Sequence, residues 1–257
     1  MNYIVIPAYQ PDNKLIKLIE KIHEKSNFHI LVIDDGSSSK YQKIFDKAEQ
    51  YATVLRHEVN QGKGQALKTA FSYIQEQNIY GTVVTADADG QHKIWDIFRA
   101  ANKASENPNK LILGVRAFTG KVPLRSRFGN SLTKVLFKLQ TGVGVTDTQT
   151  GLRAFTTNLI PFMLKIEGQR YEYEMNMLLE ATKEYEILEV PIDTVYINDN
   201  EASHFRPIQD GLMIYKNIFK FDRQSKECYN KKELNFAKQN KLRRKICYQK
   251  NYLLELL

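Results

Sequence analysis

Residues 82–92, TVVTADADGQH, join a short apolar run to two aspartates that follow it directly. The run 82–86 predicts a buried strand, and Asp87 and Asp89 stand two positions apart at its end. Alternate residues of an extended segment point to the same side, so both carboxylates can face one target. Carboxylate oxygens suit Mg²⁺ or Mn²⁺, which takes further oxygen ligands from a phosphate. The alternative is a solvated, Asp-rich turn.

The composition is that of a globular protein, because 42% of the 257 residues are hydrophobic and 11% are aromatic. The N-terminal residues MNYIVIP lack the basic start of a signal peptide, and no run approaches the ~18 apolar residues of a membrane span. The two cysteines, Cys228 and Cys247, indicate neither a disulfide framework nor a metal site, which favours a reducing compartment. We therefore expect a cytoplasmic protein.

The net charge of +8 is concentrated at the C-terminus. Residues 222–257 carry ten Lys/Arg and four Asp/Glu, so this segment holds +6 of the total. The rest of the chain is nearly neutral, so the basic charge is confined to this segment. The charge is therefore no evidence for a nucleic-acid-binding core, and no nucleic-acid partner is expected.

Apolar strands alternate with helical periodicity through the first half of the chain. Strands are predicted at 3–6, 29–33, 53–55, 82–86 and 111–115, with helices between them. This alternation is typical of right-handed βαβ units, and it predicts an α/β fold with a Rossmann-like, mostly parallel central sheet flanked by helices. Ligands of such sheets bind beyond the C-terminal ends of the strands, where the polar motifs of this chain fall.

The second half is less regular. Helices are predicted at 125–140, 171–185 and 208–221, short strands at 187–190 and 194–197, and a polar loop at 146–153. No linker or internal repeat is found. The sequence thus predicts a single domain over 1–221, followed by a helical, basic C-terminal extension over 222–257.

Two loops at the predicted strand ends carry polar and glycine residues. The stretch 34–37, DDGS, can bind a nucleoside through a carboxylate that accepts from a base N–H or a ribose hydroxyl, or it can simply cap a helix. The stretch 60–64, NQGKG, is typical of a loop that cradles phosphate, with charge added by Lys63, but it also suits a flexible turn.

Four arginines stand near these loops or in later polar segments: Arg116, Arg125, Arg127 and Arg206. The forked guanidinium group suits phosphate oxygens, although each arginine alone could equally form a surface ion pair. His92 and His204 are isolated, and the spacing typical of a zinc site is absent from the sequence.

Taken in order, these motifs resemble those of the family 2 glycosyltransferases, which have the GT-A fold. The chain is most similar to the polyprenyl-phosphate (dolichyl-phosphate) mannosyl- and glucosyltransferases within that family. The resemblance covers about residues 3–221 and rests on eight segments: 5–9 (VIPAY), 32–37 (VIDDGS), 60–64 (NQGKG), 87–92 (DADGQH), 114–116 (GVR), 127–131 (RFGNS), 147–153 (DTQTGLR) and 203–206 (SHFR).

The resemblance implies a role for each matching residue. The nucleoside would be contacted by Pro7, Tyr9, Ile33 and Asp35. The metal, Mg²⁺ or Mn²⁺, would be held by Asp87, Asp89 and Gln91, with the Ala88 backbone beside the sugar nucleotide. The donor diphosphate or the acceptor phosphate would be held by Arg116, Arg127, Ser131 and Arg206.

The chain departs from the family pattern at two places. Pro11 stands where many relatives have a glutamate that contacts the nucleotide, which leaves the base open. A UDP-sugar is favoured as the donor. Many relatives also continue into transmembrane helices, whereas this chain has the basic segment 222–257.

The nature of the acceptor decides which catalytic groups the protein needs. A divalent ion across the donor diphosphate would neutralise the charge that develops on the leaving group. A phosphate acceptor is already anionic, so it needs arginines but no general base, whereas a sugar hydroxyl needs a base. We therefore predict an inverting displacement onto a polyprenyl phosphate, with Asp89, Arg127 and Arg206 in catalysis. If a base exists it would be Asp147, whose alternative role is to order its loop.

Other functions and partners remain open at this point. The acceptor could be a saccharide hydroxyl in surface-polysaccharide synthesis, or the chain could be a non-catalytic sugar-nucleotide-binding or scaffold subunit. The basic extension could hold the protein to anionic lipid on the cytoplasmic face of a membrane, at about 1 kcal/mol per basic residue near the surface. It could also be solvated, incidental, or bound to a separate membrane protein or a second copy.

Overall fold

The computed structural model describes residues 1–116, 124–193 and 211–221, with only the backbone described over 124–130. The strands are β1 (Tyr3–Ala8), β2 (His29–Asp34), β3 (Thr53–Arg56), β4 (Thr82–Thr85), β5 (Lys110–Arg116), β6 (Arg153–Thr156) and β7 (Glu186–Ile192). The α-helices are α1 (Lys14–Lys25), α2 (Gln42–Ala48), α3 (Lys63–Glu76), α4 (Ile94–Glu106), α5 (Leu124–Thr141), α6 (Ile160–Lys165), α7 (Glu172–Glu184) and α8 (211–221). Short 3₁₀ helices precede α2 and α6.

The strands form one seven-stranded sheet in the order β3-β2-β1-β4-β6-β5-β7. All described pairs are parallel except those of β6, which runs antiparallel to both β4 and β5. The chain moves outward from β1 through β2 to β3, then returns through α3 to β4 on the other side of β1. The strand order therefore reverses between β1 and β4, and a crevice opens there at the C-terminal ends of the strands.

Both faces of the sheet are covered by helices, because successive strand residues point to opposite sides. On one face Ile4, Ile6 and Val32 pack with the apolar sides of α1, α2 and α4. On the other face Tyr3 and Val5 pack with α3, α5, α6, α7 and α8. The right-handed crossovers place α1 and α3 on opposite faces, since the chain travels in opposite directions across the sheet.

The predicted α/β architecture with a mostly parallel sheet is confirmed. Two elements were missed, however: β6 lies in the predicted polar loop and the segment after it, and α6 was not foreseen. The predicted strand 194–197, the start of the helix predicted at 208–221, and the extension 222–257 lie outside the described residues. The division into a domain and an extension stays a prediction.

Helix α5 exposes apolar side chains on its outer side. It turns Thr133 and Phe137 into the core, whereas Leu132, Val135 and Leu139 are exposed, the last at 74%. Within the described ranges, no helix is both long enough and apolar enough to cross a membrane.

Candidate active site

The loop after β2 is organised by Asp35, whose carboxylate is almost completely buried. One oxygen accepts from His57 Nδ1 at 2.8 Å and from the Gln61 backbone N–H at 2.9 Å. The other accepts from Asn60 Nδ2 at 2.9 Å and from the Gly62 backbone N–H at 2.8 Å. Because a carboxylate offers about four acceptor sites, Asp35 is saturated and orders the NQGKG loop.

The structural role of Asp35 can be tested directly, because its carboxylate accepts four hydrogen bonds. Asp35→Asn keeps the shape of the side chain but turns one acceptor into a donor that faces two other donors. We expect the variant to lose about 3 kcal/mol of unfolding free energy, because hydrogen bonds to a buried charge are lost. Urea denaturation measures the change, and Asp46→Asn on the exposed side of α2 is the matched control. Equal stability of Asp35→Asn and the wild type would refute this role.

Asp87 lies at the end of β4 in a cluster of charged side chains. Lys63 Nζ, at the start of α3, donates to Asp87 Oδ1 at 2.7 Å and lies 2.9 Å from Glu174 Oε2 on α7. His92 Nε2 lies 3.3 Å from Asp87 Oδ2. Burial by itself would raise the pKa of Asp87, but Lys63 and His92 outweigh it and hold the pKa below its ordinary range. Asp87 is therefore a firmly ionised carboxylate.

Asp89 lies beside Asp87 and has the opposite electrostatic environment. It is half-buried, and its Oδ1 accepts from the Gln91 backbone N–H at 2.9 Å. Burial raises the pKa of Asp89, and the negative charge of Asp87 raises it further. The two carboxylates thus repel each other, and a cation between them would relieve that repulsion.

The loop from Asp147 to Arg153 packs against the aspartate pair. Thr85 Oγ1 donates to the Gly151 carbonyl at 2.7 Å, which ties the loop to β4. A Cβ built on Gly151 would clash with both carboxylate oxygens of Asp87, one of them at 2.6 Å. Only glycine therefore lets this loop approach Asp87 so closely.

Asp147 and Arg116 form a buried two-point ion pair. Arg116 Nε and Nη2 donate to the two oxygens of Asp147 at 2.6 and 3.0 Å, and the Asp147 side chain is fully buried. Asp147 also accepts from the Gln149 backbone N–H at 3.0 Å. This arrangement favours the loop-ordering role of Asp147 over that of a general base, because its oxygens are already engaged.

Arg153 starts β6 and is fully buried under the site. Its Nη1 donates to the Glu174 carbonyl and its Nε to the Thr150 carbonyl. Burial lowers the pKa of Arg153, which the charge of Glu174 opposes. Arg153 therefore connects the 147–153 loop to the first turn of α7 and fixes the backbone of Glu174.

The residues predicted to contact the nucleoside differ in how far they are buried. Ile33 is fully buried in the core with Val5 and Leu31, and its contact with a nucleoside stays a prediction. It is the fifth of the six residues of β2, directly before the strand ends at Asp34. Pro7 and Tyr9 are half-buried near the crevice, and their contacts stay predictions.

The remaining predicted residues are distributed as follows. Ala88 and Gln91 are half-buried beside the aspartate pair, while Ser131 is exposed on α5. The side chain of Arg127 and the whole of Arg206 lie outside the described residues, so their predicted roles stay predictions.

The aspartate pair suits a divalent cation that completes its coordination on a diphosphate. The described residues include no group of three or more His, Cys, Asp or Glu side chains arranged to hold a metal. Asp87 and Asp89 nevertheless offer two coupled carboxylates, and Gln91 offers an amide oxygen nearby. This donor chemistry fits Mg²⁺ or Mn²⁺, which commonly uses one or two carboxylates and takes its other ligands from phosphate and water.

Sequence reasoning missed Glu174 and Arg153 as parts of the site, and it treated His92 as isolated. Glu174 carried no local signal, because a glutamate in the first turn of a helix is common for reasons of helix stability. Only the packing of α7 against the start of α3 brings it to Lys63. Arg153 was noted within a motif, but nothing in the sequence indicated that it is buried.

Known proteins resemble this chain in both sequence and fold. Residues 3–161 match the family described as Glycosyl transferase family 2. UDP-N-acetylglucosamine–dolichyl-phosphate N-acetylglucosaminyltransferase of Methanococcus voltae is 29% identical over 76% of this chain and 85% of its own. Human dolichyl-phosphate beta-glucosyltransferase is 24% identical over 84% of this chain and 72% of its own.

A solved structure extends the similarity to the fold. Glucosyl-3-phosphoglycerate synthase of Mycobacterium tuberculosis, in complex with Mn²⁺, UDP and phosphoglyceric acid, superposes with a TM-score of 0.61 at 16% identity. The superposition covers 86% of this chain and 76% of the other. Since the family match spans more than half of the chain and the superposition shows a shared fold, this protein belongs to glycosyl transferase family 2 and is a glycosyltransferase with the GT-A fold.

Proposed function

We propose that this glycosyltransferase moves a sugar from a nucleotide-sugar, with a UDP-sugar favoured, to a polyprenyl phosphate at a membrane surface. The observation that carries the proposal is the placement of Asp87 and Asp89 together at the crevice between β1 and β4. The dolichyl-phosphate acceptors named for the two relatives support the lipid acceptor. The UDP bound by the structural neighbour and the UDP-sugar named for the archaeal relative support the donor.

The metal-binding residues in this proposal are Asp87, Asp89 and Gln91, with Mg²⁺ or Mn²⁺ as the ion. The ion would neutralise negative charge on the diphosphate leaving group. Asp87 is kept ionised by Lys63 and His92, and Gly151 gives its carboxylate room. The protein therefore holds one ligand ready in its charged form before any cation arrives.

The state of Asp147 supports a phosphate rather than a hydroxyl acceptor. A hydroxyl acceptor requires a base within hydrogen-bonding reach, and the carboxylate suspected for this role is buried and held by Arg116. An anionic phosphate attacks the anomeric carbon without a base, in a single displacement that inverts the configuration. Arg127, Ser131 and Arg206 are proposed to hold that phosphate near the donor.

Membrane association is proposed for the cytoplasmic face. The exposed apolar residues Leu132, Val135 and Leu139 on α5 support it, since such a side can enter the headgroup region of a bilayer. The basic extension 222–257 would add attraction to anionic lipid. A separate membrane protein or a second copy of the chain is the alternative partner in this proposal.

Product extraction tests the acceptor. Purified protein is incubated with Mn²⁺, undecaprenyl phosphate in detergent and a panel of labelled UDP-, GDP- and dTDP-sugars. We expect label from one UDP-sugar to enter the organic phase only when the lipid phosphate is present. Label transferred to an added saccharide would instead indicate a hydroxyl acceptor.

A thermal-shift series with the same nucleotides identifies the donor separately. A ligand at 100 times its Kd stabilises the native state by about 2.7 kcal/mol. Donor binding without turnover, even with lipid acceptor added, would refute the catalytic proposal in favour of a sugar-nucleotide-binding subunit.

A further inference from the structure

Lys63 occupies a position that local helix energetics disfavour. It is the first residue of α3, where the partial positive charge of the helix N-terminus repels a cation. Tertiary contacts compensate for this repulsion, because Lys63 Nζ lies between Asp87 Oδ1 at 2.7 Å and Glu174 Oε2 at 2.9 Å. The lysine is thus held by two carboxylates from different elements, one of which belongs to the proposed metal site.

The glycines on either side of Lys63 permit this placement. A Cβ on Gly62 would lie 2.6 Å from the Gln169 carbonyl oxygen, and a Cβ on Gly64 would clash with Tyr173. The Gln65 backbone N–H donates to the Gln169 carbonyl at 2.8 Å. The start of α3 therefore packs directly on the segment that leads into α7, and this packing brings Lys63 to Glu174.

Glu174 is fixed independently of Lys63 and has unused acceptor capacity. Arg153 binds its backbone carbonyl, so the residue does not depend on the lysine for its position. Its Oε2 meets Lys63, whereas its Oε1 is buried without a hydrogen-bond partner among the described residues. A buried carboxylate oxygen without a partner is costly, and a further hydrogen bond from the same ammonium would satisfy it.

A divalent cation and the Lys63 ammonium cannot share Asp87 without repulsion. Like charges this close together repel strongly, because a partly buried pair is screened much less than in bulk water. The ammonium has three donors on a flexible four-carbon stem, so it can leave Asp87 while it stays bound to Glu174. Glu174 therefore provides a second binding position for the Lys63 ammonium.

We propose that Lys63 is a positioning residue that occupies Asp87 in the metal-free protein and moves fully onto Glu174 when a divalent cation takes Asp87. The inference rests on the proposed metal-dependent function. Without a bound cation, Lys63 would neutralise the charge of Asp87 and keep the aspartate in place. In the loaded state it is retained next to the donor site rather than expelled into solvent.

Calorimetric titration with Mn²⁺ alone tests the exchange. Lys63→Met removes the competing charge, so we expect Mn²⁺ affinity to rise about tenfold. Glu174→Gln is isosteric, and it removes both a nearby negative charge and the second position of the lysine. We expect it to weaken Mn²⁺ binding about tenfold in the Lys63 protein but only about threefold in the Lys63→Met background.

Two control variants and the wild-type titration distinguish failure of the exchange from failure of the proposed function. Lys25→Met and Glu24→Gln change residues at the C-terminal end of α1, outside the candidate site. Both variants should leave the affinity for Mn²⁺ unchanged. The wild type could bind Mn²⁺ while Glu174→Gln weakens that binding equally in the Lys63 protein and in the Lys63→Met background. This result would overturn the inference and leave the proposed function intact. Mn²⁺ binding by neither the wild type nor Lys63→Met would refute the metal-dependent function itself.

A crystal structure with Mn²⁺ and UDP measures the distance from Lys63 Nζ to Asp87 Oδ1. This distance would stay unchanged if the role of Lys63 were purely structural. We expect Lys63 Nζ to lie beyond about 3.5 Å from Asp87 Oδ1 and to bond Glu174. An ammonium still bonded to Asp87 Oδ1 beside the bound ion would overturn the exchange.

Discussion

Asp89→Ala is expected to lower kcat/KM for sugar transfer by about a thousandfold, because a cation on the diphosphate supplies several kcal/mol of charge stabilisation. Burial and the negative charge of Asp87 raise the pKa of Asp89, so a cation bound beside it would favour its ionised form. The measurement is transfer of labelled sugar by purified protein at saturating Mn²⁺. The same variant should also bind Mn²⁺ more weakly in calorimetry.

The control for this prediction is Asp46→Ala, which removes an exposed carboxylate from α2. It should retain the transfer rate of the wild type. Full activity of Asp89→Ala, with a folded state verified by its thermal transition, would remove the basis for the proposed metal site.

Gly151→Ala is expected to lower kcat/KM about a hundredfold, because displacing a catalytic group by about 1 Å is enough for such a loss. The added methyl group would clash with the Asp87 carboxylate and push either the aspartate or the 147–153 loop from its position. Thr85 holds the Gly151 carbonyl, so the loop cannot retreat without losing that hydrogen bond. We also expect a loss of about 1–3 kcal/mol in unfolding free energy.

Gly144→Ala is the matched control, since a Cβ there would contact nothing within 4 Å. Steady-state kinetics and urea denaturation of both variants separate the local effect from a general glycine effect. If Gly151→Ala retained the activity of the wild type, the close approach of the loop would not matter for the position of Asp87.

The strands and helices of the first half were predictable because their apolar residues recur with the period of each element. Leu15, Ile19 and Ile22 have helical spacing and are all buried in α1. β6 was missed for the opposite reason, since it has four residues and begins with Arg153. A charged residue at the start of a buried strand is tolerated only because two backbone carbonyls accept from it.

The candidate site was predictable only as far as its residues stand at strand ends. The sequence placed Asp87 and Asp89 after β4, and parallel topology then brings them near the other strand ends. The sequence did not distinguish a carboxylate that is available to a ligand from one that is already hydrogen-bonded or ion-paired within the protein. Asp35 and Asp147 are both saturated or paired by residues distant in the chain, which no local pattern reveals.

The sequence alone determined the family of this protein, its parallel α/β architecture and the aspartate pair at the crevice, because periodicity and motif order are local properties of the chain. The tertiary structure decided what the aspartates contact. The antiparallel β6 and the close approach of Gly151 bring the 147–153 loop against Asp87. The meeting of α3 with α7 brings Lys63 between Asp87 and Glu174. These contacts join residues far apart in the chain, and they depend on packing rather than on sequence pattern.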